Sequence, residues 1–306
     1  MQTILGAGGA VGIELAKALP AYTDAIRLVS RRPQAVHATD KLFPADLTVP
    51  GEVDRAVEGS KIAYLTVGIE YKAAAWEHTW PRIMENVISA CQKHDAKLVF
   101  FDNVYMYDRD HLQQMTEETP VRPTSRKGAV RARIADRLLN AVSKGELTAL
   151  IARAPDFLGT QNSALVETVY QNFAKGKKAN WFVSVDKVHS FIYVPDAARG
   201  TALLGNTPDA FNQVWHLPTD PSRLTGRDWI GLFADAQKVE PRHRVLPIWM
   251  MSALGLFIPI LRELKEMAYQ YDRDYFFDSS KFNRRFQYTP VPPGEAVQAT
   301  VRALQN

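Results

Sequence analysis

The residues able to do chemistry begin at the third position. Thr3-Ile4-Leu5-Gly6-Ala7-Gly8-Gly9-Ala10-Val11-Gly12 runs a short apolar stretch into glycines, and Ile13-Glu14-Leu15-Ala16-Lys17-Ala18-Leu19 continues with helical character. Strand, glycine turn and helix in that order can bind a diphosphate. Gly6 turns the chain, Gly9 leaves backbone N–H groups bare, and Gly12 lets the helix pack closely on the sheet. The anion then meets the positive end of the helix dipole. The offsets are G-x-x-G-x-x-G rather than G-x-G-x-x-G, with Gly8 as a further glycine. Gly6, Ala7, Gly8, Gly9, Ala10, Val11 and Gly12 are therefore the candidate cradle for a dinucleotide.

The second candidate group is cationic. Ala25 to Val29 reads as a strand that ends at Ser30-Arg31-Arg32-Pro33. A carboxylate at this strand end would bond the ribose 2′-OH of NAD, whereas a guanidinium suits the 2′-phosphate of NADP. Arg31 and Arg32 favour NADP, with NAD as the alternative. Other chemistries find no pattern. The single cysteine, Cys91, excludes an internal disulfide and sits in an apolar helical pattern as a buried, inert thiol. The seven histidines, His189, His216 and His243 among them, show no H-x-x-x-H or cysteine pairing, so no metal site is expected. No G-x-S-x-G elbow is present. Asp272-Arg273-Asp274 reads as a surface ion-pair knot.

The elements that must position these groups alternate. Strands at Leu42–Leu47, Lys61–Gly68, Ala96–Phe101 and Leu147–Arg153 are separated by helical patterns at 53–57, 76–94 and 127–142. Such alternation calls for a parallel sheet covered on both faces. Asp46 and Leu47 would lie beside an adenine, or else serve as a capping aspartate and a core leucine. Val67 and Gly68 end the fourth strand, where strand order reverses and ligands bind. From about residue 159 the elements shorten and become mixed and aromatic-rich. Residues 1–158, with about 188–205, form a dinucleotide-binding domain of Rossmann type. Residues 159–187 and 206–306 form a smaller, mixed, C-terminal substrate-binding lobe.

Composition narrows the class. At 46% hydrophobic and 23% charged residues, the chain has an ordinary globular make-up. A net charge of +4, spread along the sequence, suits an anionic cofactor and is too diffuse for nucleic acid. The longest uncharged run, Leu246 to Leu261, falls short of the ~20 residues of a membrane span and is broken by Pro247 and Pro259. It reads as a buried helix or a pocket cover, with no membrane partner. No signal peptide precedes the first strand, and a reducing, cytoplasmic location is expected.

Leu5 to Gly12, Asp46-Leu47, Tyr64 to Gly68, Val99 to Tyr107, Arg153 to Gly159 and Phe191 to Ala197 together resemble the extended short-chain dehydrogenase/reductase superfamily, in its NAD-dependent epimerase/dehydratase group. The resemblance spans essentially the whole chain. It implies a doubly wound Rossmann-type α/β fold, a nicotinamide dinucleotide, and a small substrate held between sheet and C-terminal lobe. It also implies that Ala154, Pro155 and Phe157 run beside the nicotinamide.

The catalytic stretch departs from that family's pattern. Members carry Tyr-x-x-x-Lys at the start of the helix after the fifth strand. Here Lys127 stands at the tyrosine position, Arg131 at the lysine position, and Asn103 where a Ser or Thr is usual. Lys127 can carry the proton if it is desolvated, with Arg131 one turn away lowering its pKa; it would also touch the cofactor. Tyr105 or Tyr107 can donate from the fifth strand end. Alternatively these are solvated charges and packing aromatics, and the site only binds. The expected activity is an NAD(P)-binding oxidoreductase or epimerase/dehydratase-like enzyme acting on a small carbonyl, hydroxyl or sugar-derived compound, as a monomer or homodimer. The alternative is a non-catalytic NADP(H)-binding redox sensor or regulatory protein.

Overall fold

The computed structural model describes residues 1–255 and 257–305. In chain order the elements are β1 (Gln2–Leu5), α1 (Ala10–Ala18), β2 (Ile26–Ser30), β3 (Lys41–Pro44), α2 (Pro50–Val57), β4 (Ile62–Leu65), α3 (Ala73–Lys93), β5 (Lys97–Asp102), α4 (Arg126–Ser143) and β6 (Ala149–Arg153). There follow β7 (Asp156–Leu158), α5 (Gln171–Ala174), β8 (Ala179–Phe182), β9 (Phe191–Tyr193), α6 (Val194–Gly205), β10 (Val214–His216), α7 (Gly226–Gln237), β11 (His243–Leu246), α8 (Ile248–Leu254), α9 (Pro259–Lys265), α10 (Ser280–Phe286) and α11 (Pro293–Gln305). They divide between two compact units. The first is Met1–Met106, Arg126–Ala154 and Ala197–Leu217; the second is Tyr107–Ser125, Pro155–Asp196 and Pro218–Asn306.

The first unit is built on a seven-stranded sheet in the order β10-β6-β5-β4-β1-β2-β3, with every pairing parallel. This is the Rossmann strand order, extended by one strand beyond β6. The strands are short apolar runs because both faces are covered. Leu5, Leu65, Phe100 and Ile151 pack with Val53 of α2, Ile83 and Val87 of α3, and Ile134 and Leu138 of α4. On the other face, the Tyr64 hydroxyl donates to Gln2 Oε1 at 2.7 Å, and any side chain at Gly205, the end of α6, would run into the Tyr64 ring. α3 continues through Pro81. Proline lacks the N–H that would bond the Glu77 carbonyl, and Arg133 Nη2 donates to that carbonyl at 3.3 Å instead.

The second unit holds two small parallel sheets, β7–β9 and β8–β11. Its core gathers Leu158, Val169, Phe173, Trp181, Phe191, Trp229, Phe233, Val297 and Val301. α7 starts at a reciprocal cap: Asp228 N–H donates to Thr225 Oγ1, and Thr225 N–H to Asp228 Oδ2. The uncharged run 246–261 is not one buried helix. Pro247 caps α8, Pro259 opens α9, and the chain between them is non-helical among its described residues. Leu256 of that run lies outside the described residues. Ile248, Trp249, Phe257, Ile258 and Ile260 are exposed. No helix among the described residues is long and apolar enough to cross a membrane.

Candidate functional site

The glycine turn leaves the sheet at its centre, between β1's two neighbours. Gly6 has φ +106°, and a side chain there would strike the backbone of Val67. Only glycine can make this turn. Gly6 and Ala7 both donate to the Val29 carbonyl, at 2.9 and 3.1 Å. Gly12 is required by packing: a Cβ would sit 2.5 Å from the Gly6 carbonyl oxygen and 2.9 Å from Ala7 Cα. Gly8 is different. It is exposed, and a Cβ would meet nothing within 4 Å. At Gly9 the nearest atom would be 3.7 Å away. Gly9 also caps α1 without any side-chain hydrogen bond. Packing explains Gly6 and Gly12, Gly9 sits in ordinary contact with the Gly6 and Thr66 carbonyls, and Gly8 faces open space at a helix N-terminus without a side-chain cap. That cradle fits a diphosphate.

The rim comes from neighbouring strand ends. Arg31 and Arg32 follow β2 directly and are exposed. Asp46 accepts the Thr48 N–H and hydroxyl, each at 2.8 Å, and Leu47 is buried. Those bonds, the backbone one first, hold the Asp46 carboxyl below its ordinary range, and the charges of Arg31 and Arg82 add to this. Asp46 therefore lies within electrostatic reach of Arg31. Val67 is half-buried and Gly68 exposed, just past β4.

α4 carries the next candidate group. Lys127 is fully buried, with Nζ 4.7 Å from the centre of the Tyr71 ring. Tyr71 meets Trp76 edge-on at 5.9 Å, and Trp76 stacks on Tyr105 at 6.1 Å. Arg131, one helical turn on, does not present a bare charge to Lys127. Its Nε donates to Asp102 Oδ1 at 2.6 Å, and Arg153 Nε donates to Asp102 Oδ2 at 3.4 Å. The guanidinium also lies 4.4 Å from the Trp80 ring centre and 4.9 Å from that of Phe100. Asp102 thus offsets part of the Arg131 charge expected to act on Lys127 and is shared with Arg153. A carboxylate at a strand end, 29 residues before its partner, gave no sequence signal of this pairing.

Asn103 Oδ1 accepts the Tyr105 N–H at 3.1 Å, holding the strand exit. Ala154 N–H donates to the Asp102 carbonyl at 3.0 Å, so the ends of β5 and β6 are tied together. Ala154 is buried in the first unit. Tyr107, Pro155 and Phe157 belong to the second, where Tyr107 is buried and Phe157 half-buried. The first unit therefore holds the cradle, Arg31, Arg32, Asp46, Leu47, Val67, Gly68, Asn103, Tyr105, Lys127 and Ala154, with Val67 against Gly6 and Arg31 in reach of Asp46.

In the second unit an unforeseen pair stands out: His189 Nε2 lies 2.9 Å from Asp156 Oδ2. A carboxylate only accepts, so Nε2 carries the proton. The His189 ring stacks between Tyr271 and Tyr275, each 4.4 Å away, and its buried Nδ1 has no hydrogen-bond partner among the described residues. Burial first, then Glu266 and Asp156, pushes the Tyr269 phenol up to about 12. Among the described residues no group of three or more His, Cys, Asp or Glu side chains could hold a metal ion. Arg273 bonds Asp272 and reaches Asp110, whereas Asp274 accepts the Val188 N–H.

Comparison with known proteins adds a family and a fold. The family model described as NAD dependent epimerase/dehydratase matches residues 3–216. Among curated proteins none matches the chain by sequence. Of solved structures, the dTDP-glucose 4,6-dehydratase DesIV double mutant from Streptomyces venezuelae, with NAD and DAU bound, superposes with a TM-score of 0.81 at 16% identity, over 100% of this chain and 97% of that one. UDP-glucose 4-epimerase from Thermus thermophilus, complexed with NAD, gives 0.80 at 16% identity, over 100% and 99%. UDP-N-acetylglucosamine 4-epimerase from Methanobrevibacter ruminantium, complexed with UDP-N-acetylmuramic acid, gives 0.81 at 13% identity, over 98% and 96%.

Proposed function

The chain belongs to the NAD-dependent epimerase/dehydratase family, and from that premise we propose that it binds a nicotinamide dinucleotide, NADP in preference to NAD, and uses it on a small hydroxyl, carbonyl or sugar-derived compound. The observation that carries this reading is the open space at Gly8 beside a helix N-terminus that has no side-chain cap, with Gly9 close to its neighbours but unclashing. The preference for NADP rests on Arg31 and Arg32, exposed at the β2 end where a carboxylate would serve NAD. The DesIV and Thermus structures, which carry NAD, support the cofactor class. We assign substrate recognition to the second unit.

Bound at the cradle, the nicotinamide supplies an acceptor or donor of hydride. The chain's own residues must handle the proton of the substrate oxygen. Lys127 is our proton carrier. In oxidation it would take the hydroxyl proton as the carbon loses hydride, and in reduction it would return one. Burial beneath Tyr71 keeps water from Nζ. Arg131 is anchored to Asp102 and fixes the turn of α4 that carries Lys127. Asn103 and Tyr105 shape the neighbouring strand exit.

NADPH turnover against a panel of carbonyl compounds tests this. Lys127→Met should abolish it and Lys144→Met, just past the far end of the same helix, should not. Equal rates in both variants would remove Lys127 from the mechanism. Lys127 at the family's tyrosine position favours one second reading, a redox sensor that binds NADP(H) without chemistry. That reading requires tight binding with no exchange of the nicotinamide C4 hydrogen, and stereospecific exchange would exclude it.

A further inference from the structure

We propose that the α8–α9 region is a membrane-surface anchor that seats the second unit on an anionic bilayer. Trp249 is 68% and Phe257 84% exposed, and Ile248, Ile258 and Ile260 join them. So many large apolar side chains exposed within one short stretch of sequence make an uncommon surface. α8 has seven residues and α9 seven. Both are far too short to cross a bilayer but suited to lying in its interface, where tryptophan and phenylalanine partition at headgroup depth.

Charge complementarity selects lipid as the occupant. β8 and β11 form a parallel two-stranded ribbon in which Ala179 N–H donates to the Arg242 carbonyl at 2.9 Å. This pairing gathers Lys175, Lys177 and Lys178, which precede β8, with Arg242 and Arg244 at one end of the ribbon. α8 leaves the other end. All five cations are exposed. Arg262 and Lys265 of α9 are exposed as well. Glu240 lies 3.7 Å from Arg242 and offsets part of its charge, while Glu263 and Glu266 are half-buried. Among the described residues, Lys175, Lys177, Lys178, Arg244, Arg262 and Lys265 form no ion pair. β11 has four residues, and at ~3.3 Å per residue the basic end stands about 13 Å from the start of α8. An interfacial helix sits about 5–10 Å below the headgroups, so cations within about that reach of it would be drawn to the phosphate layer when Trp249 and Phe257 are inserted.

Sedimentation of the full chain with vesicles tests this. The protein should pellet with phosphatidylcholine vesicles that also contain phosphatidylglycerol and much less with phosphatidylcholine alone. Trp249→Ser with Phe257→Ser should weaken binding roughly tenfold per side chain. Lys177→Glu with Lys178→Glu should weaken it about fivefold per cation, an effect lost at high salt. Circular dichroism of the whole chain, and the dinucleotide-induced rise in melting temperature proposed for the first unit, should be unchanged in both variants. Equal pelleting of parent and Trp249→Ser/Phe257→Ser protein overturns the proposal. So does a failure to pellet with anionic vesicles, or a dimer in solution that the serine variant dissociates; the latter assigns the face to a second copy of the chain.

Discussion

Replacing Asp102 by asparagine removes the carboxylate shared by two buried guanidinium groups. Its side chain is fully buried, and those of Arg131 and Arg153 are 4% exposed. Removing one partner of a buried pair costs about 3–5 kcal/mol, because the remaining charge stays desolvated. Here two like charges would remain. The amide oxygen of asparagine can still accept one hydrogen bond, and Arg131 keeps its contacts with Trp80 and Phe100. Both features favour the lower bound, about 3 kcal/mol. With a urea slope of about 3 kcal/mol per molar for a chain this size, the unfolding midpoint should fall by about 1 M. Tryptophan fluorescence is the natural probe, since Trp76 and Trp80 flank Arg131. Arg131→Met is the control. It leaves Asp102 bonded to Arg153 and removes one positive charge, so it should cost less than about 2 kcal/mol. A loss under about 1 kcal/mol in Asp102→Asn, or a larger loss in Arg131→Met, would refute the assignment of Asp102 as the shared neutralising group.

Gly12→Ala should lower the melting temperature and abolish dinucleotide binding together, since its Cβ would sit 2.5 Å from the Gly6 carbonyl oxygen. Gly8→Val, with nothing within 4 Å of the first added atom, should melt like the parent yet weaken dinucleotide binding by about tenfold, or about 1.4 kcal/mol. Calorimetry and fluorescence titration separate the two, and parallel behaviour would sink the distinction between packing and cradle glycines. Arg31→Asp should shift preference from NADP toward NAD by about a factor of ten or more, measured as the ratio of dissociation constants; an unchanged ratio means Arg31 points elsewhere. Burial pushes the Cys91 thiol up to about 12. A thiol-specific reagent at about pH 8, near the ordinary thiol pKa, should therefore label it only after unfolding, and labelling of the folded protein would contradict its enclosure.

The sheet was readable because parallel strands covered on both faces are nearly continuous apolar runs. Ile62–Leu65 and Ala149–Arg153 sit inside the expected segments. The glycine turn was readable because Gly6 and Gly12 have no substitute there. What escaped was what depends on distant partners. β8 and β11 pair across some sixty residues and have no strong local pattern. Asp102 looked like any strand-end carboxylate, since nothing local shows that two arginines converge on it. Apolarity alone reads the run 246–261 as a buried helix or a pocket cover, because it reports a preference and not what is available to satisfy it. Pro247 and Pro259 were visible and did mark its breaks.

The strand that comes first in the chain is flanked on both sides by strands that come later. β1 pairs with β2, about 24 residues on, and with β4, about 60 residues on. The glycine loop closes only when Val67 and Thr66 arrive beside it, because Thr66 N–H donates to the Leu5 carbonyl at 2.9 Å. Neither edge of β1 can therefore be covered until those later segments have been made. β10, at 214–216, finishes the opposite border last. A chain stalled before residue 214 would expose the β6 edge, a ready template for aggregation.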